Sequence, residues 1–189
     1  MSVARHIAIH CFRAIRVFRS DMNCRIQGKI RPMNTTDPYR KFAPGFDRFA
    51  EPYLRSLRKA GLAFYPPRAG MKVLDIGCGT GTLLQHYQRA GCEIFGIDVS
   101  PSMFAVAQQK LGSSATLHFG SAAAMPWPDA TFELIVSSMM FHEVSDDLRA
   151  AILADAKRVL KPDGVMVITD FHSGPISFPG GWFHCGMNL

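Results

Sequence analysis

Met71-Lys72-Val73-Leu74-Asp75-Ile76-Gly77-Cys78-Gly79-Thr80-Gly81-Thr82 sets three glycines within five positions directly after a short apolar run. Lys72 to Ile76 is short, branched and apolar, and predicts a strand. The glycines let the backbone turn sharply, and Thr80 to Thr82 open a helix that runs to about Ala90, where Gly91 stops it. Strand, glycine turn and helix in that order make a ligand-holding corner of an open α/β sheet.

The same alternation continues downstream. Glu93 to Ile97 is a second strand ending at Asp98, and Ser100-Pro101 starts a helix through Lys110 with proline at its first position. Thr116 to Phe119 is a third strand, ending at Gly120. Met125-Pro126-Trp127-Pro128-Asp129 is irregular because two prolines remove donors and fix the backbone. Phe132 to Ser137 is a fourth strand, followed by a helix from about Asp146 to Leu160. The turn Lys161-Pro162-Asp163-Gly164 then delivers a fifth strand, Val165 to Thr169, ending at Asp170. Upstream, Tyr39 to Ala60 reads as one or two helices interrupted near Pro44-Gly45 and Pro52. The pattern predicts an α/β fold with a doubly wound, mostly parallel sheet. Ligands of such sheets bind beyond the carboxyl ends of the strands, so the loops at Asp75, Asp98, Gly120, Ser137 and Asp170 are expected to face one site.

The chain has 189 residues, 48% hydrophobic and 19% charged, which suits one domain with one sizeable core. Residues 1–32 hold seven basic residues and one acid, which accounts for the whole net charge of +6. Residues 1–38 therefore read as a basic appendage to a domain at 39–189, and the domain shows no nucleic-acid footprint. In the appendage Ile7, Cys11, Ala14, Ile15 and Phe18 fall toward one side of a helix and Arg5, Arg13, Arg16 and Arg19 toward the other. The expectation is a helix covering the domain, or residues upstream of a start at Met22 or Met33, in a cytoplasmic protein; the alternative is a mitochondrial transit peptide. No apolar run reaches the length of a membrane span. Five cysteines, scattered and never in a CxxC pair, indicate reduced thiols and argue against a disulfide frame or a zinc site.

A nucleoside-triphosphate loop needs a lysine after its last glycine, and no lysine stands between Lys72 and Lys110. A dinucleotide loop needs a third glycine or alanine where this chain has Thr82 or Leu84, which weakens that reading. Asp75 would repel a pyrophosphate but suits an ammonium group. The helix N-terminus favours a carboxylate as readily as a phosphate. Asp98, at the end of the second strand, is placed to accept from ribose hydroxyls. A nucleoside with an amino-acid tail, S-adenosylmethionine, meets all of these conditions.

Val-Leu-Asp-Ile-Gly-Cys-Gly-Thr-Gly at 73–81, Gly-Ile-Asp-Val-Ser at 96–100, Met-Pro-Trp-Pro-Asp-Ala-Thr-Phe-Glu at 125–133 and Val-Leu-Lys-Pro-Asp-Gly at 159–164 resemble the successive motifs of class I methyltransferases. Within that family the chain is similar to the branch of ubiquinone and menaquinone C-methyltransferases. The resemblance spans Tyr39 to Asp170. It implies a transferase that uses S-adenosyl-L-methionine, with Asp75, Gly77, Cys78, Gly79 and Gly81 around the methionine tail and Asp98 on the ribose. It further implies Val99 flanking the adenine, Ser121 and Ala122 edging it, and Ser138 beside the reacting end. Ser121 departs from the acid often found there, and a neutral acceptor is weaker than a charged one.

The loop Ser138-Met139-Met140-Phe141-His142-Glu143 follows the fourth strand, where related enzymes line the space between methyl group and acceptor. His142 is the candidate general base; the alternative is that it packs beneath the cofactor. Glu143 reads as a helix cap. Asp170 and His172 are weaker candidates for acceptor contact, His86 and His118 are expected to be structural, and Tyr39, Phe42 and Phe46 are candidates for a lid. Met139, Met140 and Phe141 favour a small apolar acceptor, quinone-like or lipid-like, with peripheral membrane contact as a corollary.

Family members usually continue with a helix and an antiparallel strand pair, whereas 171–189 are few and broken by glycine and proline. The expectation is a sheet cut short, with its fifth-strand flank open to homodimerisation; a sheet completed by a partner and a natural minimal domain are the alternatives. Two rival functions stand beside methyl transfer: a non-catalytic cofactor-binding domain, and a nicotinamide-dependent reductase, which Thr82 disfavours.

Overall fold

The structure, a computed structural model, describes residues 37–170 and the backbone of three short strands at 15–19, 176–178 and 181–183. In chain order the elements are β1 (Ile15–Arg19), α1 (Phe46–Phe64), β2 (Lys72–Ile76), α2 (Thr82–Arg89), β3 (Glu93–Asp98), α3 (Pro101–Leu111), β4 (Ala115–Phe119), β5 (Phe132–Ser138), α4 (Asp146–Val159), β6 (Leu160–Thr169), β7 (Ile176–Phe178) and β8 (Gly181–Phe183). Ser100 caps α3 by accepting from the Met103 N–H at 3.2 Å, and Ser145 caps α4 by accepting from the Leu148 N–H at 3.4 Å.

β2 lies inside the sheet because both of its faces are covered. Strand side chains alternate in direction. Leu74 and Ile76 join Phe132, Ile135, Ile152 and Met166 on one side, while Val73 joins Leu84, Tyr87, Ile94 and Val136 on the other. Leu74 and Leu84 are wholly buried, and truncating either to alanine is expected to cost about 2–5 kcal/mol. The strand order is β1-β6-β5-β2-β3-β4. β2 through β6 pair in parallel, and the chain moves outward from β2 to β4 before returning to β2's other side as β5. The order reverses between β2 and β5, which opens a crevice beyond their carboxyl ends.

The doubly wound α/β fold and all five parallel strands stand where the sequence places them, with four differences. The fifth strand is longer than Val165 to Thr169: Phe132 pairs with Leu160 and Leu134 with Val165, so residues 161–164 bulge from within β6. Pro52 lies inside α1 and does not interrupt it. The carbonyl that would have received its N–H is that of Arg48, an exposed residue, so the missing bond falls on the solvent side of the helix. Ile15–Arg19, expected on a helix, form a strand, and the flank of β6 expected to be open is paired by it antiparallel, from Ile15 opposite Thr169 to Arg19 opposite Val165. Finally, β7 and β8 pair only with each other, as a two-stranded sheet apart from the main one.

The remainder of the basic appendage as far as Thr36, Met22 and Met33 included, lies outside the described residues, as do His172 and Cys185. Among the described residues, no helix is long and apolar enough to cross a membrane.

Candidate functional site

The crevice is a cavity of about 790 Å³, walled by the loops that follow β2, β3, β4 and β5 and by the segment leading into α1. Its floor is the glycine loop. Gly77 follows β2 at φ +73°, and a Cβ there would stand 2.5 Å from Met140 Cγ, so only hydrogen fits. Gly79 also has positive φ, yet a Cβ there would meet nothing within 4 Å: its open side faces the cavity. The Gly77 and Cys78 N–H groups both donate to the Ile97 carbonyl, at 2.9 and 3.1 Å, which locks the loop against β3.

Asp75 is buried at the cavity's base, and its Oδ1 has no hydrogen-bond partner. Burial pushes its carboxyl up to about 8, against the pull of Arg58. Arg58, from α1, is itself buried, lines the same cavity and leaves its Nε without a hydrogen-bond partner, while Glu51 pairs with the other end of the guanidinium. Ser138 Oγ, on the facing wall, is a third buried polar atom without a partner. Asp98 accepts from the Gly79 N–H at 2.7 Å and the Ser100 N–H at 2.8 Å. Each carboxylate oxygen has a further lone pair for a hydroxyl. Val99, 40% exposed, and Phe119 form an apolar wall beyond Asp98. Ser121 and Ala122 complete it, with Ser121 Oγ already accepting from the Ala123 N–H at 3.2 Å.

Of the ten residues singled out for the cofactor, Gly81 alone stands away from the cavity. It precedes α2 at φ +76° and packs on Leu111 and Ala107. His142 is also outside the cavity walls. Its Nδ1 lies 2.6 Å from Asp170 Oδ1, and its backbone N–H donates to Asp170 Oδ2 at 3.1 Å. Asp170, expected at the site, thus sits behind it and holds the β5–α4 loop. Glu143, read as a cap, instead lines the cavity and accepts the Tyr39 O–H; the α4 cap is Ser145. Tyr39 packs edge-on against Phe46, and both line the cavity, whereas Phe42 is exposed. His86 on α2 and His118 on β4 stand away from the cavity, the latter against Trp127.

Two features escaped the sequence. Arg58 looks like one more surface charge, but 54, 57, 58 and 61 form one helical stripe, and Arg58 falls in it with Leu54, Leu57 and Gly61. Asp47 accepts from Thr80 Oγ1 at 2.6 Å, Thr82 Oγ1 at 2.9 Å and Lys110 Nζ, tying α1 to the glycine loop and α3. No local signal marks that tie, because its members are up to 63 positions apart.

The family model described as a methyltransferase domain matches residues 73–164, from β2 into the β6 bulge. A TehB-like SAM-dependent methyltransferase from Corynebacterium glutamicum superposes with a TM-score of 0.57 at 25% identity, over 68% of this chain and 72% of that one. In sequence and in fold the chain resembles the class I methyltransferases. This methyltransferase domain is 33% identical over 115 residues to the demethylmenaquinone methyltransferase of Tropheryma whipplei, covering 60% of the chain and 47% of the relative. It is 28% identical over 160 residues to the ubiquinone biosynthesis O-methyltransferase of Cereibacter sphaeroides, covering 80% and 59%. The chain thus spans about half the length of the curated relatives it matches.

The cofactor of the family is S-adenosylmethionine, and the cavity fits it. Its methionine tail carries one cation and one anion, and the base of the cavity offers one buried carboxyl and one buried guanidinium, each with an atom left unpartnered. A buried polar atom without a partner is costly, so a zwitterion, with an ammonium for the carboxyl and a carboxylate for the guanidinium, is the ligand charge pattern that relieves both.

Proposed function

We propose that this methyltransferase domain transfers a methyl group from S-adenosylmethionine to a small apolar acceptor, quinone-like or lipid-like. The observation that carries the reading is the pair of incompletely partnered buried ionisable groups, the Asp75 carboxyl and the Arg58 guanidinium, at the base of a cavity open above Gly79. In this reading Asp75 receives the ammonium, Arg58 the carboxylate and Asp98 the ribose hydroxyls, while Val99, Phe119, Ser121 and Ala122 surround the adenine. The opposite wall, with Met139, Met140, Val144, Leu148 and Ile152, is apolar and takes the acceptor. The cavity's 790 Å³ lies within the roughly 300–1,000 Å³ of small-molecule sites. The names of the two curated relatives, both quinone-related methyltransferases, support the acceptor class.

The cofactor supplies an electrophilic methyl on a sulfonium, so the chain's task is positioning and exclusion of water. Where the acceptor atom carries a proton, Glu143 is the carboxylate that faces it, with the Tyr39 hydroxyl orienting that carboxylate and His142 holding the loop through Asp170. Transfer of labelled methyl to a panel of phenols and reduced quinones tests the reading. The expected result is turnover of at least one reduced quinone, lost about 100-fold or more in Glu143→Gln and retained in large part in His142→Gln. No turnover on any acceptor, with S-adenosylhomocysteine bound normally, would overturn methyl transfer to this class.

A further inference from the structure

The outer side of α1 and the segment before it carry a distribution of groups that folding does not explain. Between residues 38 and 64 the exposed charges are Arg40, Lys41, Arg48, Arg55 and Lys59, all positive. The two acids of that stretch are turned inward: Asp47 binds Thr80, Thr82 and Lys110, and Glu51 pairs with Arg58. The same surface exposes large apolar groups, Phe42 at 66%, Phe49 at 72% and Tyr53 at 81%. On a helix, residues 46, 49 and 53 fall in one stripe, at i, i+3 and i+7. That stripe begins at Phe46, which lines the cavity beside Tyr39. Arg48, Arg55 and Lys59 form a second stripe along the other border of the exposed face, roughly 130° around the helix.

We propose that this face of α1 docks on an anionic lipid bilayer, with Phe49 and Tyr53 seated at the headgroup boundary and the cations on acidic headgroups. An exposed helix face bordered by aromatic rings on one side and by cations on the other is the chemistry of helices that lie in a membrane surface, and each cation near such a surface adds to the attraction. The charge pattern selects this occupant. Residues 1–32 of the same chain are strongly basic, and a second copy would bring the same cations face to face, so both are repelled. The rings protrude into solvent and are not part of a fixed stacking platform, which disfavours single-stranded nucleic acid. Docking in this orientation sets the aromatic stripe, and with it the Tyr39 and Phe46 wall of the cavity, against the bilayer. The benefit of that placement rests on the apolar acceptor proposed above; the docking itself does not.

The test is co-sedimentation of the full chain with vesicles of phosphatidylcholine alone and of phosphatidylcholine with phosphatidylglycerol at about 7:3, with S-adenosylhomocysteine affinity measured in parallel. The expected result is binding to the acidic vesicles only, weakened by salt. Phe49→Ser with Tyr53→Ser, and separately Arg48→Glu with Arg55→Glu, each lower that binding about tenfold, with melting temperature and S-adenosylhomocysteine affinity unchanged. Vesicle binding equal in wild type and both double variants would overturn the proposal by assigning the contact to the basic stretch at 1–32. So would a dimer-to-monomer shift in Phe49→Ser/Tyr53→Ser, or tighter binding of oligo(U) than of acidic vesicles. Loss of S-adenosylhomocysteine binding in the wild type would count against methyl transfer and leave the docking surface standing.

Discussion

Asp75 is the residue on which the most depends. Its position at the carboxyl end of β2, directly before the glycine turn, was legible in the sequence. Arg58, which shares the base of the cavity with it, was not, because two residues brought together by tertiary packing leave no local pattern. The raised carboxyl gives a signed pH dependence. A folded-state value of about 8, above the ordinary 3.8, means that the folded chain holds a proton the unfolded chain has lost between those limits. The ligand-free domain is therefore expected to lose stability as pH rises from about 4 to about 8, and Asp75→Asn is expected to remove that contribution. Cofactor binding has the opposite slope, since only the ionised carboxyl receives an ammonium, so affinity rises toward pH 8. Thermal melts and calorimetric titrations at pH 6 and pH 8 check both signs, and parallel slopes for wild type and Asp75→Asn would contradict the assignment.

At the scale of elements, α2, α3 and the strands β2 to β5 begin and end within a residue or two of their sequence signals, most of them flanked by glycine, proline or a capping serine. α1 is the exception. Two prolines and a glycine suggested breaks, yet one helix runs through Pro52 since its solvent side tolerates the missing bond. What fixes α1 in place is Asp47. Burial pushes its carboxyl up, but hydrogen bonds from Lys110, Thr80 and Thr82 outweigh that and hold it below the usual range. Asp47→Ala is expected to cost about 1–3 kcal/mol in urea unfolding, as two threonine hydroxyls and one ammonium lose a shared acceptor. It is also expected to weaken cofactor binding about tenfold or more, because α1 carries Arg58. A loss of stability with unchanged affinity would separate the tether from the site.

At the scale of the whole molecule, the parallel, doubly wound sheet and the location of the cavity followed from the alternation of strands and helices, while the treatment of the sheet's edge did not. Ile15, Val17 and Phe18 alternate poorly and carry arginines between them, so the stretch resembles a helix by periodicity; pairing with β6 decides otherwise. One of Val17 and Phe18 directs its N–H into that ladder, and proline at both positions removes it. The double variant is expected to melt several degrees lower and to self-associate through the uncovered flank of β6. A monodisperse variant with an unchanged melting temperature would show that β1 contributes nothing to the edge.

What the cavity holds decides the function of this domain. Calorimetric titration of the full chain with S-adenosylhomocysteine and with NAD, in wild type, Asp75→Asn and Arg58→Met, measures it. The predicted result is saturable one-site binding of S-adenosylhomocysteine, weakened about tenfold or more in each variant, and no heat with NAD. Binding of NAD, or S-adenosylhomocysteine affinity indifferent to both substitutions, would contradict it.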